Sequence, residues 1–280
     1  MTIPSIGTHF DAPPALADVI KHFYCIHTDS DFKQTPQFLS PSLEIMLIFN
    51  FGVPLPVSFG NNEFQKQETR RVIVLGPVRK MLHYEVLPGT DLIVVTFNPN
   101  GFYRLFNIPV ETMEAEKIYD PDQLLGIGGF GALWDALAGI ATTEDRVKLF
   151  ISHGYAFIKA PEKESLPLMA GFENGKNTFG EPSKAIAADA KLSERMVQLR
   201  FKKYMGFSTK ELTRLLRFKQ VIDFIQKQED QVDWLSIVAQ FGYHDQSHLI
   251  KDFKYYLATT PRKFVQEFLG KSFCVSRPQA

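Results

Sequence analysis

Cysteine is scarce in this sequence. The 280 residues hold only 2, Cys25 and Cys274, far apart and in no C-x-x-C pair. That excludes a zinc site built on clustered cysteines and suits a reducing compartment. Long hydrophobic runs are missing as well. The most apolar stretch, Leu43 to Phe59, is broken by Asn50, Gly52, Pro54 and Pro56, so it cannot form a membrane helix. The N-terminus lacks the basic-then-apolar order of a signal peptide. A cytoplasmic protein with no membrane partner is the expectation. Catalytic signatures are lacking too. His9, His22, His27, His83 and His153 form no H-x-H pair, and a metal needs several convergent ligands. There is no Ser-His-Asp or Cys-His arrangement with a local signature, and no Gly-rich phosphate loop. Gly126-x-Gly128-Gly129 has no strand–helix context and reads as a turn. The expectation is no catalytic residue, no metal and no cofactor.

What is present points elsewhere. The length suits two domains of ordinary size, and an apolar fraction of 45% supports packed cores. Net charge is zero, yet its distribution is uneven. From Gly175 to Lys271 there are 17 Lys+Arg against 11 Asp+Glu, an excess of six, and the remainder carries the opposite excess. Such asymmetry suggests a basic nucleic-acid module joined to an acidic partner domain.

Residues 1 to about 130 read as β. Leu43–Phe51, Leu55–Phe59, Arg71–Leu75, Met81–Val86 and Leu92–Phe97 are short β-branched and aromatic runs, punctuated by Gly, Pro and Asn. About ten residues per strand favours a small barrel or sandwich over βαβ units. Asn98-Pro99-Asn100-Gly101 stops the last run, and Phe102–Phe106 reads as a short helix. His83 and Glu85 share one strand face, where they either line a ligand cavity or meet solvent. From Phe130 to Lys159 the pattern turns helical, with Leu133, Leu137, Ile140, Val147, Phe150, Ile151 and Phe157 at helical spacing. Thr142 or Thr143 is placed to cap the second helix, with Glu144 and Asp145 in its first turn. Ala160–Gly180 has little periodicity and reads as a connection, with one helical turn at Leu166–Met169.

Two helix-turn-helix patterns follow. In the first, Ile186, Ala187 and Ala190 pack one helix. Ser193 caps the next, whose Val197, Phe201 and Tyr204 point inward. Ser208 then caps a long helix over about Thr209 to Gln228. In the second, Leu235, Ile237, Val238 and Phe241 form an apolar stripe that Gly242 ends. Asp245 caps a helix with Leu249, Ile250 and Phe253 inward and Gln246, His248, Lys251 and Lys254 outward.

These residues carry a resemblance. Ala239, Gly242, Tyr243, Asp245, Gln246, Ser247, His248, Phe253, Lys254, Thr260, Pro261 and Phe264 resemble the second helix-turn-helix of the AraC/XylS family of transcription regulators. Leu192, Ser193, Arg195, Phe201, Lys202, Gly206, Ser208 and Arg217 are similar to the first module and linker helix. The sequence departs at Leu199, where the family has Arg, with Arg200 one place on; at Thr209, where it has Pro; and at Ala258, where it has Gly. A one-residue shift turns a side chain by about 100° on a helix. The second module is therefore expected to discriminate more. Val95, Phe97, Pro99, Gly101, Phe102, Leu105 and Phe106, with Gly76-Pro77 upstream, resemble the cupin-like sensory domains of such proteins.

The resemblance implies a two-domain α+β chain. It has an N-terminal β-rich cupin-like barrel with trailing helices (1–160), a linker (161–180), an all-α DNA-binding domain of two helix-turn-helix modules joined by a long helix (181–270), and a tail (271–280). It implies double-stranded DNA as partner, a small-molecule effector, a homodimer formed through the trailing helices or else helices packed on the barrel, and RNA polymerase if the protein activates. Arg195, Gln198, Gln246 and His248 are the candidates for base edges. Ser193, Lys202, Lys203, Ser247, Lys251, Lys254 and the helix N-termini are candidates for phosphates. Two other readings stand beside this one: an enzyme with a small-molecule site in the β domain, and a regulator controlled by a protein partner without a small ligand.

Overall fold

Short β-branched and aromatic runs become strands because branched side chains pack well on a pleated surface. The computed structural model describes residues 6–60, 67–68, 71–126, 128–154, 160, 182–228, 232–268 and 273–274. Its strands are β1 Thr8–Asp11, β2 Ile20–His27, β3 Thr35–Leu39, β4 Met46–Asn50, β5 Pro56–Phe59, β6 Gln67–Glu68, β7 Val72–Leu75, β8 Leu82–Val86, β9 Asp91–Phe97, β10 Ile118–Tyr119 and β11 Phe273–Cys274. Among the described residues they form two sheets, ordered β1-β2-β9-β4-β7-β10 and β11-β3-β8-β5-β6. The sheets are not hydrogen-bonded into one closed barrel. Apart from β11 on β3, every pairing is antiparallel. The sequence reading named no run before Leu43, yet three strands lie there; their polar residues, such as Lys21 and His22, dilute the apolar signal.

The six-stranded sheet is covered on both faces, which explains the continuous apolar runs of β4, β7 and β9. One face meets the smaller sheet: Met46 and Leu75 pack with Val57, Phe59 and Leu82. The other face takes the trailing helices α3 (Phe130–Ala138) and α4 (Thr143–Gly154), which follow α1 (Gly101–Phe106) and α2 (Pro121–Leu125). Leu137, Val147 and Phe150 are buried there, and the Phe150 ring lies edge-on to Phe23 and Phe49. Thr142 caps α4 by accepting from the Asp145 amide. Arg146 grips Asp91 with two hydrogen bonds of 2.9 and 2.8 Å. The apolar stripe of these helices is thus spent on the sheet. Helix α1 begins at a glycine for a steric reason: a Cβ on Gly101 would lie 2.0 Å from the Val19 carbonyl oxygen.

The C-terminal part is helical: α5 Pro182–Asp189, α6 Glu194–Met205, α7 Thr209–Gln226, α8 Trp234–Gln240, α9 Gln246–Leu257 and α10 Pro261–Phe268. Helix α7 opens with a capping box, Ser208 and Glu211 satisfying each other's backbone amides. Its Leu212, Leu215, Phe218, Val221, Ile222 and Ile225 are buried at the centre of one core. The linker proposed at 161–180, and the turn at Leu166–Met169, lie outside the described residues. Of the tail, Phe273–Cys274 pairs with β3.

That core runs on into the N-terminal part, where Met81 and Tyr103 join it. The Met81 amide donates to the Tyr256 carbonyl at 2.7 Å. The Phe38 ring stands between His83 and Phe268, with centroids 4.8 and 5.0 Å away. His83 therefore faces packed rings. Its Nε2 is buried without a hydrogen-bond partner, and burial holds the imidazole below its ordinary pKa. Glu85, on the same strand face, stays at the surface and accepts from Gln34.

Helix α9 ends on Ala258 in the left-handed conformation, φ 53°. The turn keeps its shape although the residue carries a Cβ, which costs roughly 1–2 kcal/mol there. Ala258→Gly removes that cost and adds some unfolded-state entropy. A net gain of about 0.5–1 kcal/mol is expected, read as a higher urea midpoint at unchanged slope.

Candidate nucleic-acid interface

A recognition helix needs a fixed start, since its first turn meets the base edges. Both candidates have one. The Ser193 hydroxyl accepts from the Met196 amide at 3.2 Å, and Asp245 accepts from the His248 amide at 2.7 Å. Asp245 and Asp233, which caps α8, are both held below the ordinary carboxylate pKa, chiefly by hydrogen bonds from the residues they cap. The turns before the helices use left-handed residues: Lys191 at φ 52° in the first and Gly242 at φ 65° in the second.

On α6, Val197, Phe201 and Tyr204 are buried. Arg195 and Lys202 are exposed, and Gln198 is half-buried. Lys203 is half-buried, its ammonium 4.7 Å from the centre of the Tyr103 ring and 5.0 Å from that of Tyr204. On α9, Gln246, Ser247, Lys251 and Lys254 are exposed. His248 is half-buried and lies edge-on to Tyr243, centroids 5.4 Å apart. The aromatic residues of this region serve the core, with Phe201 and Phe253 fully buried. Leu235 departs from expectation. It was read into the apolar stripe of α8, yet it is 69% exposed. It sits two residues from buried Ile237, about 200° round the axis.

The sequence reading missed the group that ties α9 to α7. Asp252, on α9, is fully buried. It accepts from Arg214 Nε of α7 at 2.8 Å and from the Tyr243 hydroxyl at 3.0 Å. Arg217, also on α7, lies over the Tyr243 ring at 4.4 Å and donates to the Gly242 carbonyl. Burial, then the adjacent Asp252 carboxylate, pushes the Tyr243 hydroxyl well above its usual pKa, so it stays a donor. Three elements are thereby held by one carboxylate. The signal for it was a tyrosine in the turn and two arginines one helical turn apart on α7.

A second group holds the far end of α6. Arg79, ahead of β8, donates to Glu211 at 2.9 Å and to the Gly206 carbonyl, and its guanidinium lies 4.3 Å over the Phe207 ring. Gly206 has φ 74°, and a Cβ there would come within 2.8 Å of Val110 Cγ1. These contacts lie at the C-terminal end of α6, away from its capped start.

Cys25 is buried and its thiol is pushed up to about 12, chiefly by burial. Among the described residues no group of three His, Cys, Asp or Glu could hold a metal ion. No helix among them is long and apolar enough to cross a membrane.

Comparison with known proteins gives two family matches. Residues 186–267 match a helix-turn-helix domain, and residues 8–118 match a domain of unknown function, DUF6597. No curated protein matches the sequence. Among solved structures, ToxT from Vibrio cholerae strain SCE256, bound to an unsaturated fatty acid, is similar at 11% identity and TM-score 0.42, covering 99% of this chain and 100% of its own. A 1.65 Å structure of Vibrio cholerae ToxT is similar at 12% identity and TM-score 0.41, covering 84% of this chain and 97% of its own. Likenesses this distant carry no argument here.

Removing the Asp252 carboxylate strands Arg214 and the Tyr243 hydroxyl. Because Arg214 is partly exposed, Asp252→Ala is expected to cost about 2–3 kcal/mol, below the range for wholly buried pairs. Asp252→Asn, which keeps an acceptor, should cost less. Urea unfolding of both variants checks the ranking.

Proposed function

We propose that this chain, whose residues 186–267 match a helix-turn-helix domain and resemble the AraC/XylS regulators, regulates transcription by reading two successive major grooves of one duplex. What supports this is the pair of capped helices, α6 and α9, that flank α7 in the chain and share one core with it. That helix has 18 residues, about 27 Å at ~1.5 Å each, near the ~34 Å between successive grooves on one face. Exposed Arg195 and Gln246, with Gln198 and His248 half-exposed, supply base-edge donors and acceptors. Lys202, Lys251 and Lys254 supply phosphate contacts, and Lys203 joins them when released from Tyr103.

The N-terminal domain acts in this reading as the sensor. Its Arg79 and Tyr103 grip the C-terminal end of α6. A ligand or partner that alters the β domain then changes how α6 is held, and with it the first module's fit to DNA. The expected location is the cytoplasm, and the function is binding rather than catalysis.

Selection of genomic fragments by the full-length protein tests the reading. Enriched duplexes should hold two blocks about one helical turn apart. With three to four lysines on phosphates, log K should fall with log salt at a slope of about −3. Gln246→Ala or His248→Ala should lose specificity about tenfold or more, and Arg195→Ala less. Arg195→Ala as the most damaging change would reverse the ranking of the modules. Arg79→Ala should raise affinity severalfold and steepen the salt slope by about 1, as Lys203 becomes available. Unchanged binding by that variant would rule out the grip as the coupling device.

A further inference from the structure

Large apolar side chains on an otherwise charged helix face need an explanation when they cluster. Among the described residues the exposed large hydrophobics are Met196, Leu199, Leu235 and Tyr255, and two of them sit on α6. Leu199 is 44% exposed and Met196 41%. Leu199 is two residues from buried Val197 and two from buried Phe201. At about 100° per residue it points almost directly away from the core. Met196 lies one turn back on the same side. Neither joins the domain junction, whose contacts gather at Lys203, Tyr204 and Gly206.

The surroundings of this pair are basic. Arg195 precedes Leu199 by four residues and Lys202 follows it by three, both exposed. The result is an apolar spot between two cations at the capped start of a helix. An apolar protein surface would match the spot but leave the cations without partners. The major groove supplies both: phosphates and base-edge acceptors for the cations, and on its floor the one apolar group of a base edge, the thymine methyl. Leucine and methionine can neither donate to guanine nor pair with adenine.

We infer that Met196 and Leu199 read thymine methyl groups, so that the first module adds apolar contact to its hydrogen bonds. This rests on the DNA-reading proposal above and names what one of its two modules recognises. Lys202 holds the helix on the backbone, Arg195 and Gln198 keep their base edges, and the apolar pair takes the methyls beside them.

Deoxyuridine replaces thymine with loss of the methyl alone, which makes the test direct. Full-length protein is titrated with the selected duplex, with thymines in one block or the other replaced by deoxyuridine. Replacement in the first module's block should weaken binding about fourfold per methyl, the factor that burying one such group carries. Leu199→Ser, whose fold is checked by circular dichroism and melting, should bind the thymine and deoxyuridine duplexes alike. Equal binding of both duplexes by the unaltered protein overturns the inference, as does a loss that persists in full in Leu199→Ser combined with Met196→Gln. A change of oligomeric state in Leu199→Ser with an unaltered methyl effect also overturns it, assigning the spot to a second copy of the chain. Failure to enrich any duplex sinks the regulator reading itself, and this inference with it.

Discussion

Everything in the C-terminal half depends on the buried face of α7. Leu215, Val221 and Ile225 are wholly inaccessible there, and both modules pack against that one helix. Most of its stability as a helix comes from packing that face rather than from intrinsic propensity. Burial of its apolar face fixes it, and so makes it a spacer of defined length rather than a flexible link. The Asp252 group adds direction to distance. Hydrophobic contact is non-directional, whereas a carboxylate taking hydrogen bonds from Arg214 and Tyr243 sets the angle at which α9 leaves the spacer.

The two candidate recognition helices are anchored by different groups. Helix α9 is fixed by Asp252 to α7 and, through the Tyr256 carbonyl, by the Met81 amide of the β domain. Helix α6 is fixed in part from outside, through Arg79 and Tyr103. The β domain therefore touches both modules, α6 through Arg79 and Tyr103, and α9 and α10 through Met81 and Phe38.

Local chemistry was legible in the sequence; long-range chemistry was not. Ser193, Ser208 and Asp245 announce helix starts because a cap is made within three residues. The inward faces of α6 and α9 follow from helical spacing, and the double helix-turn-helix was readable from its spaced residues. The β runs were visible as runs, but their division into two sheets depends on pairings such as β2 with β9, which no local signal encodes. Asp252 looks like a surface residue until Arg214, 38 positions away, is brought to it. Lys203 looks like a free cation until Tyr103 is placed beneath it. Leu235 matched an apolar stripe by composition and failed it by angle.

The last described strand bears on how the molecule is closed. Phe273–Cys274 lies parallel to β3 at the border of the smaller sheet. The described residues thus run from the sheets through the helices and back to the sheets. Swinging the helical part clear of the β part would mean stripping a strand and baring the amides and carbonyls of β3, the kind of unguarded border that recruits other chains. A wide opening of the molecule would break that pairing and carry the hazard of aggregation.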